Sequence, residues 1–595
     1  MRTSNLFVPE ILQKVTDSVI GHSRITVLQP WARLEGNRWA LKIRARLSVP
    51  ETSTISTETI WYLLFDSASA SVVAYPAKVG GISQTYQHQS FNEEGPANEP
   101  WRRGNPCLQR QAAVFGRSAW TGEPQAIDEK ILWYLDRLLV WLDAAACAKL
   151  NEPGEPLELP TGSGLSSFPI VGFTSLADDL PFWNGRHGQW GWADLARLPG
   201  SIESYVIKAF QDKERKPIRD VEWGHLISKQ PACNKALWIA LSSLPVVEPW
   251  ELPRTWLALS SYLNSVGVNL GEMFVKVGAD CRQRRMDNAP MIVLLGFPIS
   301  ATIGAKPTRY HWLAIGGLNL SDRRAKKNGF RATEKTRQFI DQSLASSTTA
   351  MRWVRTMNWS PEQIRTRAGR ENVVCKRVLV IGAGALGSAV SENLVRMGIY
   401  DLGVLDADRL EVGNLTRHAL GMDAVGHNKA LALASALNLL MPDANVVGLA
   451  SFFPPTRMEI AEQVRSFDVI VDCSGSDGVL DALSAFDWRE EKTFISLGMT
   501  WKAEGLLAFT ASETAFPTID AKQRFADLAA PPTSLVDAPV EGIGCWHPVF
   551  PASASNVMLW SALGSQFIIE AIHSSERRCE YFRQLADGSV ERLSG

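Results

Sequence analysis

The stretch Val378–Ser388, VLVIGAGALGS, joins an apolar run to an amphipathic run through a glycine-rich turn. Gly382, Gly384 and Gly387 stand at GxGxxG spacing, directly after a predicted strand and at the start of a predicted helix. Backbone N–H groups at such a helix start, together with the helix dipole, attract phosphate groups. The turn therefore predicts a nucleotide site.

The segments around this turn predict a doubly wound α/β domain. Four apolar runs, RVLVI, DLGVLD, DVIVDCSG and TFISLG, alternate with predicted helices at Ala385–Met397 and Lys429–Leu440. Strands that alternate with helices build a parallel sheet with crossover helices. Residues 361–595 are therefore predicted to form a Rossmann-like domain.

Polar residues after the next strand distinguish two kinds of nucleotide chemistry. Asp406 ends that strand, where a carboxylate accepts hydrogen bonds from ribose, and this feature also fits a nicotinamide dehydrogenase. The sequence DADRLEVGNLTRHALGMDAVGHNKA then adds Asp408, Asn414, Arg417 and Lys429. Such cations neutralise charge on a triphosphate, and a carboxylate can hold magnesium. Hydride transfer has no use for these groups, so the pattern favours phosphate transfer or adenylation.

Length and composition limit the remaining possibilities. A chain of 595 residues predicts about three or four domains. The net charge of -1 argues against broad binding to nucleic acid, and no apolar run approaches the ~20 residues of a membrane span. The eight cysteines have no CxxC spacing, which argues against structural zinc and fits a reducing cytoplasm.

The first part of the chain predicts an α+β domain over residues 1–160. An amphipathic helix over Pro9–Ile20 precedes RWALKIRARL, which alternates with a period of two as in a half-buried strand, and two further apolar runs. A helix is expected at about Ile131–Leu150. The proline- and glycine-rich NEPGEPLELPTGSG predicts a linker, followed by a mixed α/β middle domain over 161–360 without a catalytic signature.

The succession GAGALGS, DAD, NLTRH and Lys429 resembles the adenylation domain of ubiquitin-activating enzymes and their ThiF and MoeB relatives. The resemblance implies ATP and Mg²⁺, with Asp406 on the ribose and Asn414, Arg417 and Lys429 on the phosphates. It also implies that an upstream arginine, Arg365 or Arg367, reaches the γ-phosphate. Where relatives read DCTDN this chain reads DCSGSD, so either Asp472 or Asp477 is expected to hold the metal.

Cys545 and Cys107 are the two candidate nucleophiles. Cys545, in EGIGCWHPVFPASASN, lies where the activating enzymes carry the cysteine that attacks the acyl adenylate. The N-terminal order of helix, meander, AYP, His88 and GNPCL is similar to a ubiquitin-conjugating domain whose catalytic cysteine would be Cys107. HQSFN replaces the HPN motif there, so Asn92 or Asn105 is expected to stabilise the oxyanion. The alternative is that Cys107 is a buried core residue.

A conjugating domain fused ahead of an activating domain resembles the bacterial fusion enzymes of CBASS anti-phage operons. The resemblance implies a homodimer that joins the C-terminal glycine of a cGAS-like nucleotidyltransferase to a target amine, through thioesters on Cys545 and then Cys107. A bacterial ubiquitin-like protein is the alternative acyl donor. Two further hypotheses are sulfur-carrier adenylation without conjugation and a catalytically idle scaffold.

Overall fold

The computed structural model describes residues 8–595, except for residues 109–111, 115–116, 121–122, 161, 163–165, 201–202, 248, 287–289, 326–330, 332, 367–375, 530–539, 542–546 and 549. No helix within these residues combines the length and the apolarity needed to cross a bilayer.

The N-terminal part is an antiparallel sheet packed on two helices. Its elements are α1 (Glu10–Val19), β1 (Ile25–Arg33), β2 (Arg38–Arg46), β3 (Glu58–Asp66), β4 (Ser71–Pro76), the hairpin β5 (Ala112–Val114) and β6 (Arg117–Trp120), and α2 (Ile127–Ala146). The period of two predicted in β2 is confirmed, because Leu41 and Ile43 are buried in the core formed with α1 and α2. The segment between β4 and β5 carries Cys107.

The middle part is a closed ring of strands. Its strands are β7 (Ser166–Phe173), β8 (Trp190–Arg197), β9 (Ser204–Gln211), β10 (Pro217–Asp220), β11 (Ala232–Ala240), β12 (Met291–Ile299), β13 (Arg309–Leu318) and β14 (Arg352–Asn358). They pair in the order β9-β7-β14-β13-β12-β11-β8, and β8 returns to β9 while β10 extends one edge of β9. The apolar runs MIVLLGFPI and HWLAIGGL form β12 and most of β13.

Aromatic side chains fill the inside of this ring. All seven ring strands contribute to one buried cluster, in which Trp183 packs against Trp238, Tyr310 and Trp312. Alternate strand residues point outward, where they pack against helices. The helices of this part are α3 (Leu180–Asn184), α4 (His225–Ser228), α5 (Trp256–Ser265), α6 (Leu270–Gln283) and α7 (Glu334–Leu344).

The C-terminal part has the predicted doubly wound sheet. Its strands are β15 (Val378–Ile381), β16 (Asp401–Leu405), β17 (Asn445–Leu449), β18 (Val469–Asp472), β19 (Lys492–Met499), β20 (Gly505–Glu513), β23 (Arg578–Gln584) and β24 (Val590–Ser594), with a separate hairpin of β21 (Val540–Glu541) and β22 (His547–Pro548). The first five run parallel in the order β17-β16-β15-β18-β19, and the last three continue the sheet antiparallel.

Helices cover both faces of this sheet, and two separate cores lie between the helices and the strands. The helices are α8 (Pro361–Arg365), α9 (Ala385–Met397), α10 (Lys429–Leu437), α11 (Met458–Arg465), α12 (Asp477–Ala485), α13 (Thr518–Leu528) and α14 (Ala554–His573), with short 3-10 helices at Val412–Thr416, Met422–Ala424 and Trp501–Ala503. The bounds predicted for α9 are confirmed. α10 begins at Lys429 as predicted, capped by Asn428, and ends earlier than predicted.

Candidate functional site

The three glycines of the turn between β15 and α9 have different roles. Gly382 has a φ of +91°, and a Cβ atom there would lie 2.9 Å from the backbone of Ser474. A Cβ at Gly387 would lie 1.9 Å from the Gly382 carbonyl oxygen, whereas one at Gly384 would meet nothing within 4 Å. The first and third glycines thus permit close packing, and Gly384 leaves the helix start open. This open backbone fits a phosphate group.

Asp406 connects β16 to the glycine turn. Its Oδ2 atom accepts a hydrogen bond from the Ala383 N–H at 2.7 Å, and its Oδ1 atom accepts one from the Asp408 N–H at 2.7 Å. A carboxylate has about four acceptor positions, so capacity remains for ribose hydroxyls. Lys429, the first residue of α10, places its Nζ atom 3.2 Å from the Asp408 carboxylate. The structure therefore brings this cation to the carboxyl end of β16.

Asn414 and Arg417 lie in the 3-10 segment beyond β16. The Asn414 Oδ1 atom accepts a hydrogen bond from the Glu411 N–H at 3.0 Å, which closes a capping box. The Arg417 guanidinium donates to the carbonyl oxygen of Phe550. Phe550 follows Cys545 closely in the chain, while Cys545 itself lies outside the described residues. Arg417 thus links the loop after β16 (residues 406–428), which we call the phosphate loop after its predicted role, to the segment after the candidate cysteine.

His418 is a residue of this site that the sequence analysis missed, although it ends the quoted motif NLTRH. Its Nδ1 atom accepts from the Leu420 N–H at 3.0 Å, so its Nε2 atom carries the proton that it donates to the Ala383 carbonyl oxygen at 2.8 Å. Burial lowers the pKa of His418 and favours the neutral ring. His418 therefore ties the phosphate loop to the glycine turn.

Asp472 and Asp477, the two candidate metal ligands, have different surroundings. Asp472 ends β18 beside Ile381, and its carboxylate accepts hydrogen bonds from Ser474 and Ser496. Burial raises its pKa. Asp477 is 84% exposed and lies 3.8 Å from Lys522. Asp472 therefore borders the glycine turn and is buried, whereas Asp477 faces solvent. The described residues contain no group of three or more metal-ligating side chains.

Arg365 does not lie at the glycine turn of its own chain. It is buried, its Nη1 atom is 2.7 Å from the Asp443 carboxylate, and its Nε atom lies 3.0 Å from the Cβ position of Gly398. Gly398 caps the C-terminal end of α9, about 20 Å from the start of that helix. The expectation that Arg365 contacts the γ-phosphate therefore does not fit this arrangement, and Arg367 lies outside the described residues.

Cys107 is exposed and borders a cavity of about 330 Å³. Its N–H donates to the His88 carbonyl oxygen at 2.6 Å, which fixes the cysteine at the end of the long loop after β4. Cys473 and Cys579 are buried instead, and burial raises the pKa of the Cys579 thiol to about 12. The alternative that Cys107 is a buried core residue is therefore wrong.

Asn92 does not fit the expected role as an oxyanion donor. Its side chain is completely buried, and its Nδ2 atom donates to the carbonyl oxygens of Ile82 and Gln84, each at 3.0 Å. Its Oδ1 atom accepts from Arg102 at 3.2 Å. Both amide hydrogens are thus used to hold the loop. The half-buried Asn105, two residues before Cys107, remains the candidate.

Two family models cover the middle and C-terminal parts of the chain. Residues 148–359 match the Cap2 central linker domain, and residues 358–512 match the ThiF family. The molybdopterin-synthase adenylyltransferase of Escherichia coli is 31% identical over 23% of this chain and 54% of its own length. The sulfur carrier protein adenylyltransferase of Thermus thermophilus is 36% identical over 18% of this chain and 39% of its own length.

One relative matches from end to end. The ATP-dependent ubiquitin transferase-like protein Cap2 of Enterobacter hormaechei is 44% identical over 588 residues, which are 98% of this chain and 98% of that protein. The match includes the N-terminal part with Cys107, which the two family models do not reach. From this identity over the full length, the chain belongs to the Cap2 family.

Proposed function

We propose that this chain is an ATP-dependent activating and conjugating enzyme that joins the C-terminal glycine of a partner protein to an amine. The observation that carries the proposal is the 44% identity over the full length to an ATP-dependent ubiquitin transferase-like protein. The open glycine turn and the exposed Cys107 support it, because they supply a phosphate site and a nucleophile in one chain.

In the first step, a carboxylate oxygen of the partner's C-terminus attacks the α-phosphorus of ATP. The bond to pyrophosphate breaks, and the carboxylate becomes an acyl adenylate. Gly384 presents the open helix start to the phosphates, and Asp406 accepts hydrogen bonds from the ribose. Arg417 and Lys429 neutralise the charge that develops on the leaving pyrophosphate. Asp472 would hold Mg²⁺, which would offset the negative charge of the triphosphate, and Asp477 is the alternative ligand.

In the second step, the thiolate of Cys545 attacks the acyl carbon, and AMP leaves. Support for this position comes from the contact between Arg417 and Phe550, because it holds the chain just after Cys545 against the phosphate loop. The thiolate of Cys107 then takes the acyl group from Cys545, and an amine attacks the second thioester to give an amide and free thiol.

We assign the conjugating step to residues 1–160, adenylation to residues 361–595, and the connection between them to residues 161–360. The proposed acyl donor is a cGAS-like nucleotidyltransferase, and a bacterial ubiquitin-like protein is the second candidate. The protein acts as a homodimer in this proposal. Sulfur-carrier adenylation is the alternative activity, favoured by the two adenylyltransferases that match the C-terminal part.

The test is ATP–pyrophosphate exchange with the full-length chain and a cGAS-like nucleotidyltransferase that ends in glycine. We expect exchange with the intact partner and none with a partner that lacks its last glycine, because no C-terminal carboxylate then reaches the α-phosphate. The ubiquitin-like donor is tested in the same assay. Absence of exchange with either donor would support an idle scaffold and contradict the proposal.

A further inference from the structure

The cavity beside Cys107 combines an apolar wall with carboxylates. The wall is formed by Leu108, Val140, Trp141, Ala144 and Leu150. Glu152 and Glu155, from the segment after α2, lie at the same cavity, and so do the cations Arg137 and Lys149. Arg137 already uses one of its hydrogen-bond donors, because its Nε atom donates to the Leu108 carbonyl oxygen at 3.0 Å. The cavity thus places apolar side chains, two carboxylates and two cations beside an exposed thiol.

His88 lines this cavity together with Cys107 and is paired with a carboxylate. The Nδ1 atom of His88 lies 3.1 Å from the Oε2 atom of Glu158, and the His88 backbone N–H donates to the same oxygen at 3.2 Å. A carboxylate that accepts the Nδ1 proton leaves the lone pair on Nε2 and stabilises the imidazolium once a proton is taken up. Cys107 and His88 therefore line one cavity, and Glu158 pairs with the histidine.

The middle part of the chain fixes the position of Glu158. The Gly154 N–H donates to the Ile303 carbonyl oxygen at 2.9 Å, and the Ile303 N–H donates to the Glu155 carbonyl oxygen at 2.8 Å. The Leu157 N–H donates to the Ala301 carbonyl oxygen at 3.2 Å. These bonds hold the segment with Glu158 on the turn between β12 and β13. Histidine and carboxylate thus come from two parts of the fold and meet at Cys107.

We propose that His88, held by Glu158, is the general base that activates the acceptor amine beside Cys107. The inference rests on the proposed function, in which Cys107 carries a thioester.

His88 Nε2 takes a proton from the ammonium group of the acceptor, and the freed nitrogen then forms a bond to the acyl carbon. The carbon–sulfur bond breaks, and the Cys107 sulfur leaves as a thiolate. A proton of the attacking nitrogen passes to the thiolate, which restores the thiol, and the imidazolium releases its proton to water, which restores the neutral ring. The overall change is thioester plus ammonium to amide, thiol and a proton.

The experiment loads Cys107 without using the adenylation site. The full-length Cys545→Ala protein is treated with the mercaptoethanesulfonate thioester of a short peptide that ends in glycine. Intact mass spectrometry follows the peptide bound to Cys107, and the Cys107→Ala/Cys545→Ala protein gives the background from other thiols. The loaded protein is then mixed with Nα-acetyl-lysine or with hydroxylamine, which is already neutral at pH 7 and needs no base.

His88→Asn is the main variant, because asparagine tolerates the positive φ of +54° at this position and keeps the carbonyl that binds the Cys107 N–H. We expect it to slow discharge to acetyl-lysine by about 10² to 10³, and discharge to hydroxylamine by less than about twofold. Glu158→Gln should slow the lysine reaction less than His88→Asn and also spare hydroxylamine. His22→Asn, an exposed histidine of the same part, is the control and should change neither rate.

Equal rates of lysine discharge in the unchanged and His88→Asn proteins would overturn the inference and leave the proposed function intact. An equal loss with lysine and hydroxylamine would also overturn it, because His88 would then only shape the loop. Failure of Cys107 to take up the peptide would contradict its proposed role as the residue that carries the second thioester. Both the proposed function and this inference would then be wrong.

Discussion

The nucleotide site and the Cys107 site differ in how far apart in the sequence their parts lie. The glycine turn, Asp406 and Lys429 lie on successive elements of one α/β unit, and the Ala383–Asp406 and Asp408–Lys429 contacts join residues 23 and 21 positions apart. At Cys107, the loop after β4 contacts Glu158 and Glu251, which belong to the linker and the middle part. A motif whose residues lie close together in the chain can be recognised from the sequence. A site assembled from distant segments depends on how those segments pack against one another in the folded chain.

The contacts of Glu251 show that the Cys107 site depends on packing between the N-terminal part and the middle part. The Glu251 Oε1 atom accepts hydrogen bonds from the N–H and the hydroxyl of Thr85, at 2.7 and 2.8 Å. The Thr85 hydroxyl in turn accepts from the Asn92 N–H at 3.0 Å. Arg254 donates to both oxygens of Glu251. The middle part therefore supports the loop that presents Cys107.

The largest expected effects come from replacing each of the two candidate cysteines, and they test the order in which the cysteines carry the acyl group. With Cys545→Ala, pyrophosphate exchange should persist while no reducible thioester forms, because the adenylate lacks its first acceptor. With Cys107→Ala, the thioester on Cys545 should accumulate and amide product should disappear. Non-reducing gels of the full-length protein with its acyl donor measure both species. Amide formation by Cys107→Ala would favour sulfur-carrier chemistry, and a thioester on Cys107 in Cys545→Ala would replace the relay by direct attack on the adenylate.

The next effect distinguishes the two asparagines near Cys107. Asn105→Ala should slow amide formation by about 10² to 10³, as expected when one oxyanion donor is removed. Asn92→Ala should instead destabilise the loop by about 1–3 kcal/mol, because the carbonyls of Ile82 and Gln84 lose their donors. Hydrogen–deuterium exchange over residues 82–107 measures the second effect. Faster exchange in Asn105→Ala and not in Asn92→Ala would reverse the assignment.

The smallest of the three effects concerns the phosphate loop. Arg417→Ala should reduce pyrophosphate exchange by about two orders of magnitude, with a smaller change in ATP affinity, because the guanidinium acts mainly on the charge of the leaving pyrophosphate. Arg409→Ala is the matched control: this exposed arginine in the same loop donates to the Gly426 carbonyl oxygen. An unchanged exchange rate in Arg417→Ala would remove Arg417 from the phosphate site.

Sequence patterns predicted those elements whose signal is short-ranged. The alternation in β2 and the bounds of α9 follow from periods of two and 3.6 residues, so they are visible in any window of ten residues. The closed ring of the middle part was not predicted, because β14 pairs with β7 and β8 pairs with β9 and β11, and register between distant strands leaves no local signal. His418 was missed for a related reason, since its hydrogen bond to Ala383 spans two loops.

The sequence by itself determined the glycine turn, the carboxylate at the end of β16 and the cations that follow, because each is fixed by its distance along the chain from one strand. Tertiary structure alone decided which polar side chains still have hydrogen-bonding capacity. Packing used both amide hydrogens of Asn92 to hold the loop and paired Arg365 with Asp443. It also brought Glu158 to His88 beside Cys107. The role of a polar side chain depends on which hydrogen bonds and ion pairs it already makes, and the packing of the folded chain decides those contacts.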